Sequence, residues 1–111
     1  MAWQKVCRLD EIAPLGARVV ALAGEKIAVF RTDGDDVFAL RDACPHQGGP
    51  LSQGIVYGSG EHARVTCPLH GMNIALASGL ALPPDEGCAR RFPVRVEAGE
   101  VWLDPSAPAG T

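Results

Sequence analysis

ARVVALAGEKIAVFRTDGDDVFALR, residues 17–41, contains three apolar runs separated by two turns. Residues 17–22 and 26–31 are rich in Val, Ile and Phe and are joined through Ala23, Gly24 and Glu25. Thr32, Asp33, Gly34 and Asp35 follow, and their Asp-Gly pair suits a tight hairpin. Residues 36–41 then read as the next strand. Three successive strands with short connections predict a sheet, and no part of this stretch has a helical period.

Working outward, residues 3–9 read as an earlier strand, followed by a polar, Pro-containing link at 10–16. A short helix is conceivable at 10–15, but Pro14 lies inside it. Toward the other end, Val94 and Val96 alternate with Arg95 and Glu97, as expected for a strand with one wet face. Ala98, Gly99 and Glu100 turn the chain, and Val101, Trp102 and Leu103 return. The fold expected is all-β, an antiparallel sandwich or barrel. Residues 43–84 differ in character: they are dense in Gly and Pro and read as an insertion on the β scaffold. One domain is expected over residues 1–104, with 105–111 as a fraying tail. Trp3, Phe30, Phe38, Phe92 and Trp102 lie in strand-like segments and are assigned to core packing.

The composition limits the function classes. A chain of 111 residues fits one domain. The formal net charge is −3 and Lys and Arg do not cluster, which argues against a nucleic-acid partner. Charged residues interrupt every apolar run, so no membrane span is expected. The N-terminal residues lack an apolar core behind a basic start, and cytoplasmic residence is the expectation. Four cysteines in such a compartment point to metal or redox chemistry rather than a disulfide framework.

Two motifs carry that chemistry. Cys44, Pro45, His46, Gln47, Gly48, Gly49 and Pro50 form the first, and Cys67, Pro68, Leu69, His70 and Gly71 the second. Each offers one thiolate and one imidazole. A Rieske centre needs two Cys on one iron and two His on the other, and Cys44, His46, Cys67 and His70 supply that set. Pro45 and Pro68 fix the backbone after each Cys. Gly48, Gly49 and Gly71 allow close approach, so that N–H groups can face the cluster sulfurs. A tetrahedral zinc site could use the same ligands, but Cys-x-His is a poor match to zinc spacings. Cys7, beside Val6, and Cys88 are assigned structural roles. His62 falls in a Gly- and Ser-rich stretch expected to be an exposed turn.

The Cys-x-His and Cys-x-x-His pair with these neighbours resembles the Rieske signature. Residues 49–56, 65–70, 84–88 and 92–97 further resemble the small subunit of assimilatory NAD(P)H-dependent nitrite reductase. The resemblance implies a [2Fe–2S] cluster and an electron-transfer or assembly role, without catalysis by this chain alone. It also implies a large-subunit partner carrying flavin, a [4Fe–4S] cluster and siroheme, which reduces nitrite to ammonium. The alternative is a Rieske ferredoxin serving an aromatic-ring dioxygenase.

Charge counting gives the ligand set a purpose. Two ferric ions, two sulfides, two thiolates and two neutral imidazoles sum to zero, so an electron is accepted more readily than by an all-Cys centre. High-potential Rieske proteins add a disulfide between the loops and a Ser hydroxyl on a sulfide. At those positions this chain has Gly49, Leu69 and Met72. A potential near the lower Rieske limit is therefore expected, on the order of −150 mV.

Overall fold

The computed structural model describes residues 3–22, 24–44, 49–69 and 71–105. Ten strands are formed among them: β1 (Gln4–Arg8), β2 (Ala17–Leu22), β3 (Glu25–Arg31), β4 (Val37–Arg41), β5 (Ile55–Tyr57), β6 (Arg64–Thr66), β7 (Asn73–Ala75), β8 (Arg91–Phe92), β9 (Val94–Glu97) and β10 (Glu100–Leu103). They make three sheets, in the orders β1-β10-β9, β2-β3-β4-β8 and β5-β6-β7, with every strand pair antiparallel. The all-β expectation holds, and the described residues contain no α-helix. At 10–15 the structure has instead a single 3-10 turn, Leu9–Glu11. Arg31 reaches across to it, donating to the carbonyls of Leu9 at 3.3 Å and Ile12 at 2.8 Å.

The sheet built by residues 17–41 is the middle layer. Along β3, Ile27 and Val29 pack into one core with Cys7, Val101 and Leu103. Ala28 and Phe30, on the opposite face, join Val56, Val65 and Ile74 in a second core. All four of these β3 residues have 0% exposure, which explains why the strand reads as continuously apolar instead of alternating. Sheet β1-β10-β9 thus covers one side of the middle sheet and sheet β5-β6-β7 the other.

Strands β5 to β7 lie inside the Gly- and Pro-dense stretch, where no strand was expected. Each has only three residues, too few to display a period, and each places one side chain inward: Val56, Val65 and Ile74. Burial against Phe30 and Leu40 holds them there. The stretch leaves and rejoins the middle sheet at one place. Arg41 N–H donates to the Arg90 carbonyl at 2.7 Å, and Leu40 pairs with Arg91.

Of the aromatic residues, Phe30 and Phe92 are buried and Phe38 packs against the second core. Trp3 and Trp102 are only half-buried, and Trp3 lies under the Arg95 guanidinium, 4.4 Å from its ring centre. Pro105 is buried, and the remaining tail residues, 106–111, lie outside the described residues. No helix among the described residues is long and apolar enough to cross a membrane.

Candidate metal centre

The two cysteines of the motifs converge. Cys44 follows β4 and Cys67 follows β6, yet both belong to the second core, at 2% and 1% exposure. None of the four cysteines is in a disulfide. His46 and His70 lie outside the described residues, as do Pro45, Gln47 and Gly48.

Backbone hydrogen bonds between described residues link the two ends of each motif. In the first, Cys44 N–H donates to the Gly49 carbonyl at 2.7 Å. In the second, Cys67 N–H donates to the Met72 carbonyl at 2.7 Å, and Gly71 N–H returns to the Cys67 carbonyl at 3.0 Å. Gly71 has φ +69, a left-handed conformation that carries no strain only for glycine. It is the residue that bends this loop back toward β7.

The loops also touch each other. A Cβ on Gly49 would lie 2.6 Å from Leu69 Cδ1 and 3.7 Å from Cys67 Sγ, so a larger residue there would have to push the Leu69 side chain aside. Gly49 and Leu69 stand at the two positions read above as those of the inter-loop disulfide, and here a side chain lies across a bare backbone. Met72, in place of the Ser, is buried with its sulfur 3.9 Å from Cys44 Sγ. A thioether offers no strong donor to a sulfide.

Such a site suits a soft metal group. Two buried sulfur donors from separate loops, apolar walls and glycine backbone at close range match the requirements of an iron–sulfur cluster. The other two cysteines stand apart. Cys7 is in the first core, on the far side of the middle sheet. Cys88 is exposed, bridged to Leu80, and not part of either core, so a packing role does not describe it. His62 ends an exposed 3-10 turn, Gly60–His62.

Residues 2–104 match the Rieske-like [2Fe-2S] domain, and the chain belongs to that family. Its cofactor is the Rieske-type [2Fe–2S] cluster. The relatives include nitrite reductase subunits, dioxygenase ferredoxins and an oxygenase subunit of vanillate O-demethylase from a Pseudomonas strain, the last 33% identical over 94% of this chain and 29% of that protein. A nitrite reductase [NAD(P)H] large subunit of Klebsiella oxytoca is 39% identical over 103 residues, which cover 91% of this chain and only 11% of that protein. The nitrite reductase (NADH) small subunit of Salmonella typhimurium is 33% identical over 91% of this chain and 95% of its own length. The biphenyl dioxygenase ferredoxin subunit of a Pseudomonas strain is also 33% identical, over 98% and 97%. Among solved structures, a putative NADH-dependent nitrite reductase small subunit from Mycobacterium tuberculosis superposes with a TM-score of 0.85 at 29% identity, covering 96% of both chains.

Proposed function

We propose that this chain is the Rieske electron-transfer and assembly subunit of an assimilatory nitrite reductase, working with a large subunit that carries flavin, [4Fe–4S] and siroheme. The observation that carries the reading is the convergence of Cys44 and Cys67, both buried, from two loops into one core. Cys44 and Cys67 would hold one iron, and His46 and His70 the other. When bound, the cluster supplies reversible one-electron transfer. The protein's part is to bury the thiolates, keep water from them and present glycine backbone to the sulfurs.

Residues 1–104 act as one domain in this reading, with about 43–84 as its cluster-binding subdomain, resident in the cytoplasm. The nitrite assignment is supported by the full-length similarity to a nitrite reductase small subunit. It is supported again by a similar segment within a protein named as a nitrite reductase large subunit. The second reading, a ferredoxin for an aromatic-ring dioxygenase, has equal identity behind it.

Anaerobically purified protein should be red-brown, with a midpoint potential on the order of −150 mV. A colourless protein overturns the ligand assignment, and a midpoint above zero overturns the low-potential reading. Nitrite reduction should appear only when a siroheme-bearing large subunit is added. Support of a ring dioxygenase with no stimulation of nitrite reduction would select the second reading.

A further inference from the structure

Both candidate ligand loops are shut at their bases by side chains that belong to neither ligand motif's donor set. Asp42 precedes the first loop and Ser52 follows it. The Asp42 carboxylate accepts twice from Ser52, from its N–H at 2.7 Å and from its hydroxyl at 2.9 Å. Thr66 and Asn73 flank the second loop directly and pair across β6 and β7. Asn73 Oδ1 accepts from the Tyr57 hydroxyl at 2.5 Å and from the Thr66 hydroxyl at 2.7 Å. The Tyr57 ring is itself covered by the Arg64 guanidinium, 4.4 Å from its centre.

We propose that Asp42–Ser52 and Tyr57–Thr66–Asn73 are positioning residues, two clasps that hold the ligand loops at cluster-binding geometry. The proposal rests on the reading of Cys44 and Cys67 as cluster ligands. Short loops rich in glycine lose much backbone entropy on being ordered, and a cluster bound through four side chains must meet that cost each time it forms. A clasp at the base removes most of the loop's freedom beforehand, so ligand atoms wait near their final places. Both clasps use the same acceptor device, a single carboxylate or amide group that takes two hydrogen bonds. In the first loop both come from Ser52 across the mouth. In the second, one comes from Thr66 across the mouth and one from Tyr57 on the neighbouring strand β5, which fixes the Asn73 amide. Because each loop would give one ligand to each iron, opening either clasp loosens both irons together.

The test compares Ser52→Ala, Tyr57→Phe, the conservative Ser52→Thr, and Glu11→Ala. The last removes a 2.7 Å bond to Arg8 N–H at the far sheet and serves as the control. Cluster release to an iron chelator is followed by visible absorption, and the reduced cluster by EPR. Loss of a hydrogen bond to a charged acceptor should speed release about tenfold in Ser52→Ala. Tyr57→Phe should speed it about fivefold, both with broadened EPR lines. Ser52→Thr should restore the wild-type rate, and Glu11→Ala should match wild type. Rates within twofold of wild type in both clasp variants overturn the proposal, as does equal acceleration in Glu11→Ala. Amide exchange at Cys44 and Cys67 in cluster-free protein provides an independent measurement. Faster exchange in the clasp variants supports the clasps even if the wild-type protein holds no cluster, an outcome that would remove the ligand reading alone; unchanged exchange overturns them.

Discussion

Cys7 shows how one thiol is kept out of the chemistry. Its side chain points from β1 into the first core at 6% exposure, among Ile12, Val29 and Leu103. Burial pushes its pKa above the ordinary 9.0, opposed by the nearby Arg18 charge and assisted by Glu11. The thiolate is the reactive form, so Cys7 should resist alkylation at pH 8 while the exposed Cys88 is labelled rapidly. Mass mapping after iodoacetamide treatment checks this. The same shift has a stability consequence. Well below pH 9 the thiol is protonated in both folded and unfolded chains, and Cys7 adds no pH dependence. Above that, the unfolded chain loses the proton while the folded one keeps it, so stability falls with rising pH until the folded group ionises too. Cys7→Ala should flatten that alkaline decline in thermal unfolding curves.

At the scale of elements, the hairpin between β9 and β10 is the clearest case of local chemistry under load. Glu97 pairs with Glu100, leaving a two-residue turn in which Ala98 has φ 51 and Gly99 φ 76. Both central residues are left-handed, the type I′ geometry whose preferred sequence is Asn-Gly. Ala98 has no side-chain group to offset that conformation. Ala98→Asn should therefore stabilise the protein by about 0.5–1 kcal/mol in urea unfolding. This turn was legible from Ala98-Gly99 in the sequence, as were β1 to β4, β9 and β10, to within one or two residues. Their apolar runs are long enough to show a pattern, and Gly or Asp-Gly marks their ends. Strands β5 to β7 were not legible, and of β8 only Phe92 was, as a residue of strand-like surroundings. Ile55–Tyr57, Arg64–Thr66, Asn73–Ala75 and Arg91–Phe92 are too short for periodicity, and tertiary burial alone defines them. The site divides in the same way. Cys44 and Cys67 stood out by spacing, whereas Asp42, Ser52, Tyr57 and Asn73 carry no local mark because their partners are remote in sequence.

For the whole molecule, the middle sheet separates a purely structural core from the one that contains the two motif cysteines, Cys44 and Cys67. Leu40 and Leu103 make a matched pair for testing that division, since both have 0% exposure and lie in different cores. Leu40→Ala and Leu103→Ala should each cost about 3 kcal/mol in chemical denaturation. Only Leu40→Ala should also hasten loss of the cluster's visible absorption, because only its cavity opens in the core that holds Cys44 and Cys67. The neck at Arg41 and Arg90 has a consequence of another kind. A stretch whose two ends meet across one hydrogen bond is a cassette: descendants can inherit it, lengthen it or trade it without rethreading the scaffold. A scaffold that keeps the middle sheet and the β1-β10-β9 layer is thereby able to carry different electron-handling loops, and an engineer can splice one in at the same two residues.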